Sequence, residues 1–347
     1  MSNINIYLPS GYVNVPLILK PKIFHTIIMV GGRGTGKSYG VLDHVTGSGD
    51  KFFYMRTQQT ELDLMSDPEL NPFNSLNVNN KTDYTLKKRG KYVTGIYPTK
   101  EDSNGNTNLM GLCTALSTIY HVRGMDAQEY KYLFYDEIIS EPHVRSIKEQ
   151  YKAIKGAYET LNRNRELDGK PPLRLIMCGN SDDINNDILA GYNLIDVLFK
   201  MREKGEEIKD FPERGLRVVY TLKSPISARK KKTALYKGQD NDTYTLMSLG
   251  NEFTQFYHGN IKTMNLKQFE PVLKVGDIAV YKSKGEQRVI YVTPCINDTF
   301  PYEYGLTDYE LMQFRYRHKL LLDLYLRGKL IFENASCEIA FYNLWKK

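Results

Sequence analysis

Gly31-Gly32-Arg33-Gly34-Thr35-Gly36-Lys37-Ser38 decides how the chain is read. The stretch fits GxxxxGK[ST] at every position. Phe24–Val30 before it is a short apolar run rich in β-formers, and Lys37 to about Val45 has a helix-like pattern. Strand, glycine loop and helix together form a phosphate cradle. Glycines let successive backbone N–H groups turn inward around phosphate oxygens, where a Cβ would clash. The helix N-terminus adds positive field. Lys37 can reach the β- and γ-phosphates of ATP, and the Ser38 hydroxyl can ligate Mg²⁺. Gly31, Gly32, Arg33, Gly34, Thr35, Gly36, Lys37 and Ser38 are therefore the expected nucleotide contacts. The rival dinucleotide pattern GxGxxG fails, because Lys37 stands where its third glycine should be.

Outward from the loop, Tyr132-Leu133-Phe134-Tyr135-Asp136-Glu137 is an apolar strand with an acidic end. Beside a phosphate loop it looks like a Walker B motif. Asp136 would hold Mg²⁺ and Glu137 would polarise the attacking water, a role a hydrolase needs and a small-molecule kinase does not. Leu173–Gly179 leads to Asn180, which could sense the γ-phosphate, since ligands sit at the carboxyl ends of strands in such sheets. Arg163 or Arg165 in Asn162-Arg163-Asn164-Arg165-Glu166 could meet transition-state charge from a neighbouring subunit, or could simply offset a helix dipole. Arg56, after the strand Lys51–Arg56, also falls near the expected nucleotide edge.

Further strands are expected at Leu109–Leu116, Lys131–Asp136 and Arg217–Leu222. Lys87-Lys88-Arg89-Gly90 should turn a hairpin, and Val144–Glu166 reads as a long helix. Alternating strands and helices indicate an α/β domain with a mainly parallel sheet. Residues 1–22, with Pro9, Pro16 and Pro21, read as an extended arm. The domain should cover 1–220, followed by a basic linker at 221–240 and a smaller C-terminal domain at 241–347. There Ile278–Tyr281 and Val289–Val292 alternate as strands. Thr307–Leu326 reads as one helix, with Thr307 and Glu310 as its capping box.

With 347 residues, two domains are expected. No apolar run approaches a membrane span, and Met1-Ser2-Asn3-Ile4-Asn5 lacks the basic start of a signal peptide, so neither is expected. Cys113, Cys178, Cys295 and Cys337 lie far apart and form no CxxC pair; Cys113 and Cys178 read as small buried hydrophobes. The net charge of +7 is uneven. Residues 226–347 carry 18 basic and 13 acidic side chains, which suits an anionic partner such as nucleic acid. Arg229-Lys230-Lys231-Lys232 is the densest basic run, and could touch phosphate or be a solvated face.

Together these residues resemble the DNA-packaging ATPases of small podophages, the phi-29 group. The resemblance rests on Gly31–Ser38, Phe53-Tyr54-Met55-Arg56 with Glu61-Leu62, Phe134-Tyr135-Asp136-Glu137, Arg163-Asn164-Arg165-Glu166, Cys178-Gly179-Asn180 and the stretch from Gly328 to Leu344. It implies a P-loop ATPase of the additional-strand catalytic-glutamate class with an RNase H-like α+β C-terminal domain stripped of its metal-binding acids. It also implies a homo-oligomeric, pentameric ring on the portal of a procapsid in the host cytoplasm, driving double-stranded DNA inside, with a structural packaging RNA as a possible partner and no membrane. By the same resemblance Arg163 is the trans-acting finger and Arg123, in His121-Val122-Arg123-Gly124, a pore-loop contact to DNA. Gln59 stands where a member of that family has a lysine in the segment after the second strand, so a regulatory role of that lysine does not carry over. The competing readings are a P-loop kinase of a small substrate and a non-packaging DNA- or RNA-binding ATPase.

Overall fold

A computed structural model describes residues 4–98, 108–122, 124–140, 147–237, 243–251, 253, 260–285, 289–294 and 298–345. Arg123 and Cys295 lie outside them. The chain divides into two compact units: Met1–Gly191 with Met201–Thr254, and Tyr192–Lys200 with Gln255–Lys347.

The first unit is built on β1 (Thr26–Gly31), β2 (Lys51–Arg56), β3 (Tyr84–Lys88), β4 (Thr94–Pro98), β5 (Gly111–Ala115), β6 (Tyr130–Tyr135), β7 (Arg174–Asn180), β8 (Ile208–Phe211) and β9 (Leu216–Tyr220). Their order across the sheet is β3-β4-β5-β2-β6-β7-β1-β9-β8. The run from β5 to β9 is parallel, and the β3–β4 and β8–β9 hairpins add antiparallel edges. β7 lies between β1 and β6. Parallel strands covered on both faces need apolar side chains at every position. Accordingly Phe52 to Met55 in β2 and Leu133 to Tyr135 in β6 are buried throughout. Cys113 and Cys178 are buried free thiols of β5 and β7, as their apolar surroundings suggested.

The described helices of this unit are α1 (Val15–Leu19), α2 (Lys37–Gly47), α3 (Gln59–Met65), α4 (Asn74–Asn80), α5 (Gln150–Asn162) and α6 (Asp187–Gly191). α7 (Ile195–Lys204) has residues in both units. α8 (Pro225–Lys230) and α9 (Thr243–Gly250) follow β9. The N-terminal residues depart from the expected extended arm. Ile6, Val13, Val15, Ile18 and Leu19 are buried in the core cluster of the sheet. Arg217 holds the Ile18 carbonyl at 2.9 Å and Arg174 that of Leu19 at 2.9 Å, so the arm is part of the domain. The boundary expected at 220 also moves. Phe253 packs on Tyr220 at 5.6 Å between ring centroids, and Lys230, Ser248 and Asn251 are tied to the phosphate loop, which keeps 221–254 in the first unit.

In the second unit β10 (Asn260–Ile261), β11 (Phe269–Val275), β12 (Ile278–Ser283), β13 (Ile290–Thr293), β14 (Tyr302–Tyr304) and β15 (Leu330–Phe332) form a sheet of order β10-β15-β13-β12-β11-β14. The expected single helix from Thr307 is two, α10 (Asp308–Arg317) and α11 (Lys319–Leu326), divided at His318. Thr307 caps the first as expected: its hydroxyl accepts from the Glu310 amide at 3.3 Å. α12 (Ala335–Asn343) closes the unit, with Phe341 and Phe332 in its core. Asp277, Asp298, Asp308 and Asp323 are spread over separate elements here. Asp298 accepts from the Tyr281 hydroxyl at 3.0 Å, and Asp323 pairs with Arg327 at 3.1 Å.

Candidate nucleotide site

The loop between β1 and α2 turns on glycines. Gly34 at φ +70° and Gly36 at φ +92° occupy backbone space that a side chain would strain. Lys37 is buried and folded back onto its own loop. Its ammonium donates to the carbonyls of Gly31 (3.0 Å) and Gly32 (2.7 Å) and to Thr35 Oγ1 (3.3 Å). Burial pulls its pKa from 10.5 down to about 8. Neutral carbonyls are weak partners for an ammonium compared with a phosphate oxygen. The glycine cradle and the lysine poised on it therefore fit a polyphosphate.

Ser38, one residue on, donates from Oγ to Asp136 Oδ1 at 2.7 Å. A hydroxyl from the start of α2 and a carboxylate from the end of β6 thus meet across 98 residues of sequence, the oxygen donor pair a phosphate-bound Mg²⁺ takes. Asp136 is buried, and desolvation raises its pKa above the ordinary carboxylate value; Arg56 opposes that shift. Tyr54 donates to Asp136 Oδ2 at 3.3 Å, and the Glu137 amide to Oδ1 at 3.1 Å.

Arg56 was only weakly marked by sequence, and it proves central. Its guanidinium binds Glu137 directly, lies 3.7 Å from Asp136 Oδ2 and 3.5 Å from Glu61 Oε2. Burial alone would lower its pKa. Tyr54, Glu137, Asp136 and Glu61 outweigh that and fix the positive charge. Glu137 itself is held at φ +57°, a costly backbone for a side chain that is not glycine. It lines one cleft with Arg33, Thr57, Glu61 and Asn180. Asn180 sits beside Gly31 in the β1–β7 register, so it stands where sequence expected it. Arg33 approaches Asp182 at 4.0 Å.

The two arginines after α5 separate clearly. Arg165 is buried and donates to the carbonyls of Ala127 and Tyr130, fixing the entry into β6. Arg163 is exposed, donates to the Met125 carbonyl at 2.8 Å, and has φ +45°. Both lie at the amino end of β6, the edge of the sheet opposite Asp136. Six strand residues span roughly 20 Å, so both arginines stand well away from the Asp136 end of their own strand. The expected DNA contacts also divide. Arg123 is outside the described residues. Arg229 donates to the Ser10 carbonyl at 3.0 Å, and Lys231 and Lys232 are exposed. Lys230 is a correction to the solvent-facing run: it turns inward to Arg33 O at 2.7 Å, because the loop carbonyl and Ser248 offer it partners.

Residues 10–347 match the family model described as podovirus DNA encapsidation protein (Gp16). A DNA packaging protein of Bacillus phage PZA is 23% identical over 339 residues, with 92% of each chain covered. Among solved structures, the bacteriophage Phi-29 viral genome packaging motor assembly matches 96% of this chain and 98% of its own at TM-score 0.66 and 19% identity. The Phi-28 gp11 DNA packaging motor matches 100% and 99% at TM-score 0.58 and 18% identity.

Proposed function

This chain belongs to the podovirus DNA encapsidation protein (Gp16) family, and from that premise we propose that it is the ATPase that drives double-stranded DNA through the portal of a procapsid. One observation carries the chemical part: the Ser38–Asp136 hydrogen bond beside Glu137, at the mouth of a glycine loop. Lys37 leaves its carbonyls for the β- and γ-phosphates. Ser38 and Asp136 would hold Mg²⁺, which would neutralise charge on the phosphates. Glu137 takes the proton of a water that attacks the γ-phosphorus as the bond to the β–γ bridging oxygen breaks. It must first leave Arg56, so release of that ion pair is a step before hydrolysis. The insertion of β7 between the loop strand and the acidic strand, with Glu137 after Asp136, supports the additional-strand catalytic-glutamate class. A small-substrate kinase would have no use for Glu137.

Arg163 is the finger, offered to the next subunit in a ring of identical chains, and its position on the far edge of its own sheet favours trans action. Arg123, Arg229, Lys231 and Lys232 are the DNA-facing candidates. The partners are the portal, a five-membered ring of this chain and, through the basic residues 226–347, a structural RNA, all in the host cytoplasm. The second unit, an α+β sheet in the place of an RNase H-like domain, is read as a contact module rather than a nuclease. Among the described residues no helix is long and apolar enough to cross a membrane. The deciding experiment is ATP turnover with and without double-stranded DNA. Glu137→Gln should bind ATP and lose turnover, while Lys37→Ala and Asp136→Ala lose binding. Wild-type turnover by Glu137→Gln would remove the assignment.

A further inference from the structure

Lys230 does not behave as part of a basic surface run. Its ammonium donates to the Arg33 carbonyl at 2.7 Å and to Ser248 Oγ at 2.8 Å, and lies 5.4 Å from the ring centroid of Tyr236. The Tyr236 hydroxyl meets the same Ser248 oxygen at 2.6 Å. A Cβ built on Gly34 would be 3.7 Å from the Lys230 nitrogen, so the ammonium overlies the middle of the phosphate loop. Asn251 fastens the same segment to the loop. It is buried, and its Oδ1 accepts from the Gly32 amide at 3.2 Å. Its Nδ2 donates to Leu222 O at 3.2 Å and Ser227 Oγ at 2.9 Å. A Cβ on Gly32 would come within 2.2 Å of Asn251 Oδ1, so the close approach needs a glycine there.

Two ammonium groups thus address one loop of eight residues, Lys37 on the Gly31 and Gly32 carbonyls and Lys230 on that of Arg33. Both ammonium groups rest on neutral loop carbonyls, the Lys230 charge acts on Lys37, and a phosphate oxygen is a stronger partner than any of the three carbonyls. We propose that Lys230 is a second phosphate ligand of this site, supplied by the same chain, which exchanges the Arg33 carbonyl for the γ-phosphate of ATP. The inference rests on the nucleotide reading above.

The test uses the full-length chain and an ATP acyl phosphate, whose acyl carbon, carried on the γ-phosphate, is attacked by a nearby lysine amine with ATP as the leaving group. Peptide mass spectrometry should find Lys37 and Lys230 both acylated, and both spared in excess ATP. Acylation of Lys37 alone overturns the role of Lys230 and leaves the nucleotide site standing. Acylation of neither overturns both. In binding titrations Lys230→Gln should weaken ATPγS about tenfold or more and ADP hardly at all, and Lys230→Arg should restore ATPγS. Equal losses for the two nucleotides would overturn the γ-phosphate assignment. Lys37→Ala, losing both nucleotides together, reports on the site itself.

Discussion

Lys37 and Arg163 are each held in a costly state. The Lys37 ammonium, ordinarily titrating at 10.5, is brought to about 8 by burial. A phosphate beside it restores the charged form and raises that value again. The lysine's contribution to ATP affinity is therefore complete below pH 8 and fades as pH climbs through it. Between pH 8 and 9, binding should take up a proton. Calorimetry in buffers of different ionisation enthalpy reads this directly, and zero uptake at pH 8.5 would contradict it. Arg163 has φ +45° and ψ −133°, a region almost reserved for glycine, at a cost of about 1–3 kcal/mol. Arg163→Gly should relieve this and raise the melting temperature of the first unit by a few degrees, while ending ATP turnover. Arg163→Ala should end turnover without the gain. A melting temperature lowered by the glycine would show that the backbone there is unstrained.

At the scale of elements, β6 is a strut with a different duty at each end. Its carboxyl end presents Asp136 and Glu137, and its amino end is gripped by Arg165 through the Tyr130 carbonyl. Arg165→Met should remove the guanidinium's bonds to the Ala127 and Tyr130 carbonyls, of which Ala127 keeps the Tyr130 amide at 3.0 Å, costing about 1–3 kcal/mol. Thermal unfolding should show the loss, with ADP affinity retained; abolished ADP binding would mean that Arg165 acts at the nucleotide. The two ends of β6 were unequally legible. Asp136-Glu137 announces itself because apolar residues run straight into two acids, and the glycine loop because its spacing is local. The Arg56 cluster was hidden, since two of its three carboxylates, Asp136 and Glu137, come from another strand end, up to 81 residues from the arginine. The break at His318 was hidden for another reason. No glycine or proline marks it, and the ring packs instead among Tyr302, Tyr304 and Phe314. The N-terminal arm misled through its prolines, when its buried Ile6, Val13 and Ile18 mattered more.

For the molecule as a whole, the proposed finger at one end of β6 and the phosphate loop at the other would make each subunit a donor on one side and a recipient on the opposite one, the head-to-tail kind of contact that can close into a ring. Mixing Arg163→Ala with Glu137→Gln should restore part of the turnover, because each chain supplies what the other lacks at a shared interface. Mixtures of stable rings with no recovery would argue that Arg163 does not act in trans. The second unit is not one continuous stretch, since Tyr192–Lys200 belongs with Gln255–Lys347. Asp196 receives the Ser336 amide at 3.2 Å and the Ser336 hydroxyl, at the start of α12. A gene fragment starting at residue 255 therefore leaves one of that unit's helix contacts behind in the parent reading frame. Recombination between related phages at a single crossover near residue 255 would pair Ser336 of one lineage with position 196 of another. Viable chimaeras should have to inherit both stretches together, so the two halves of this unit travel as linked loci although 54 residues of the other unit lie between them.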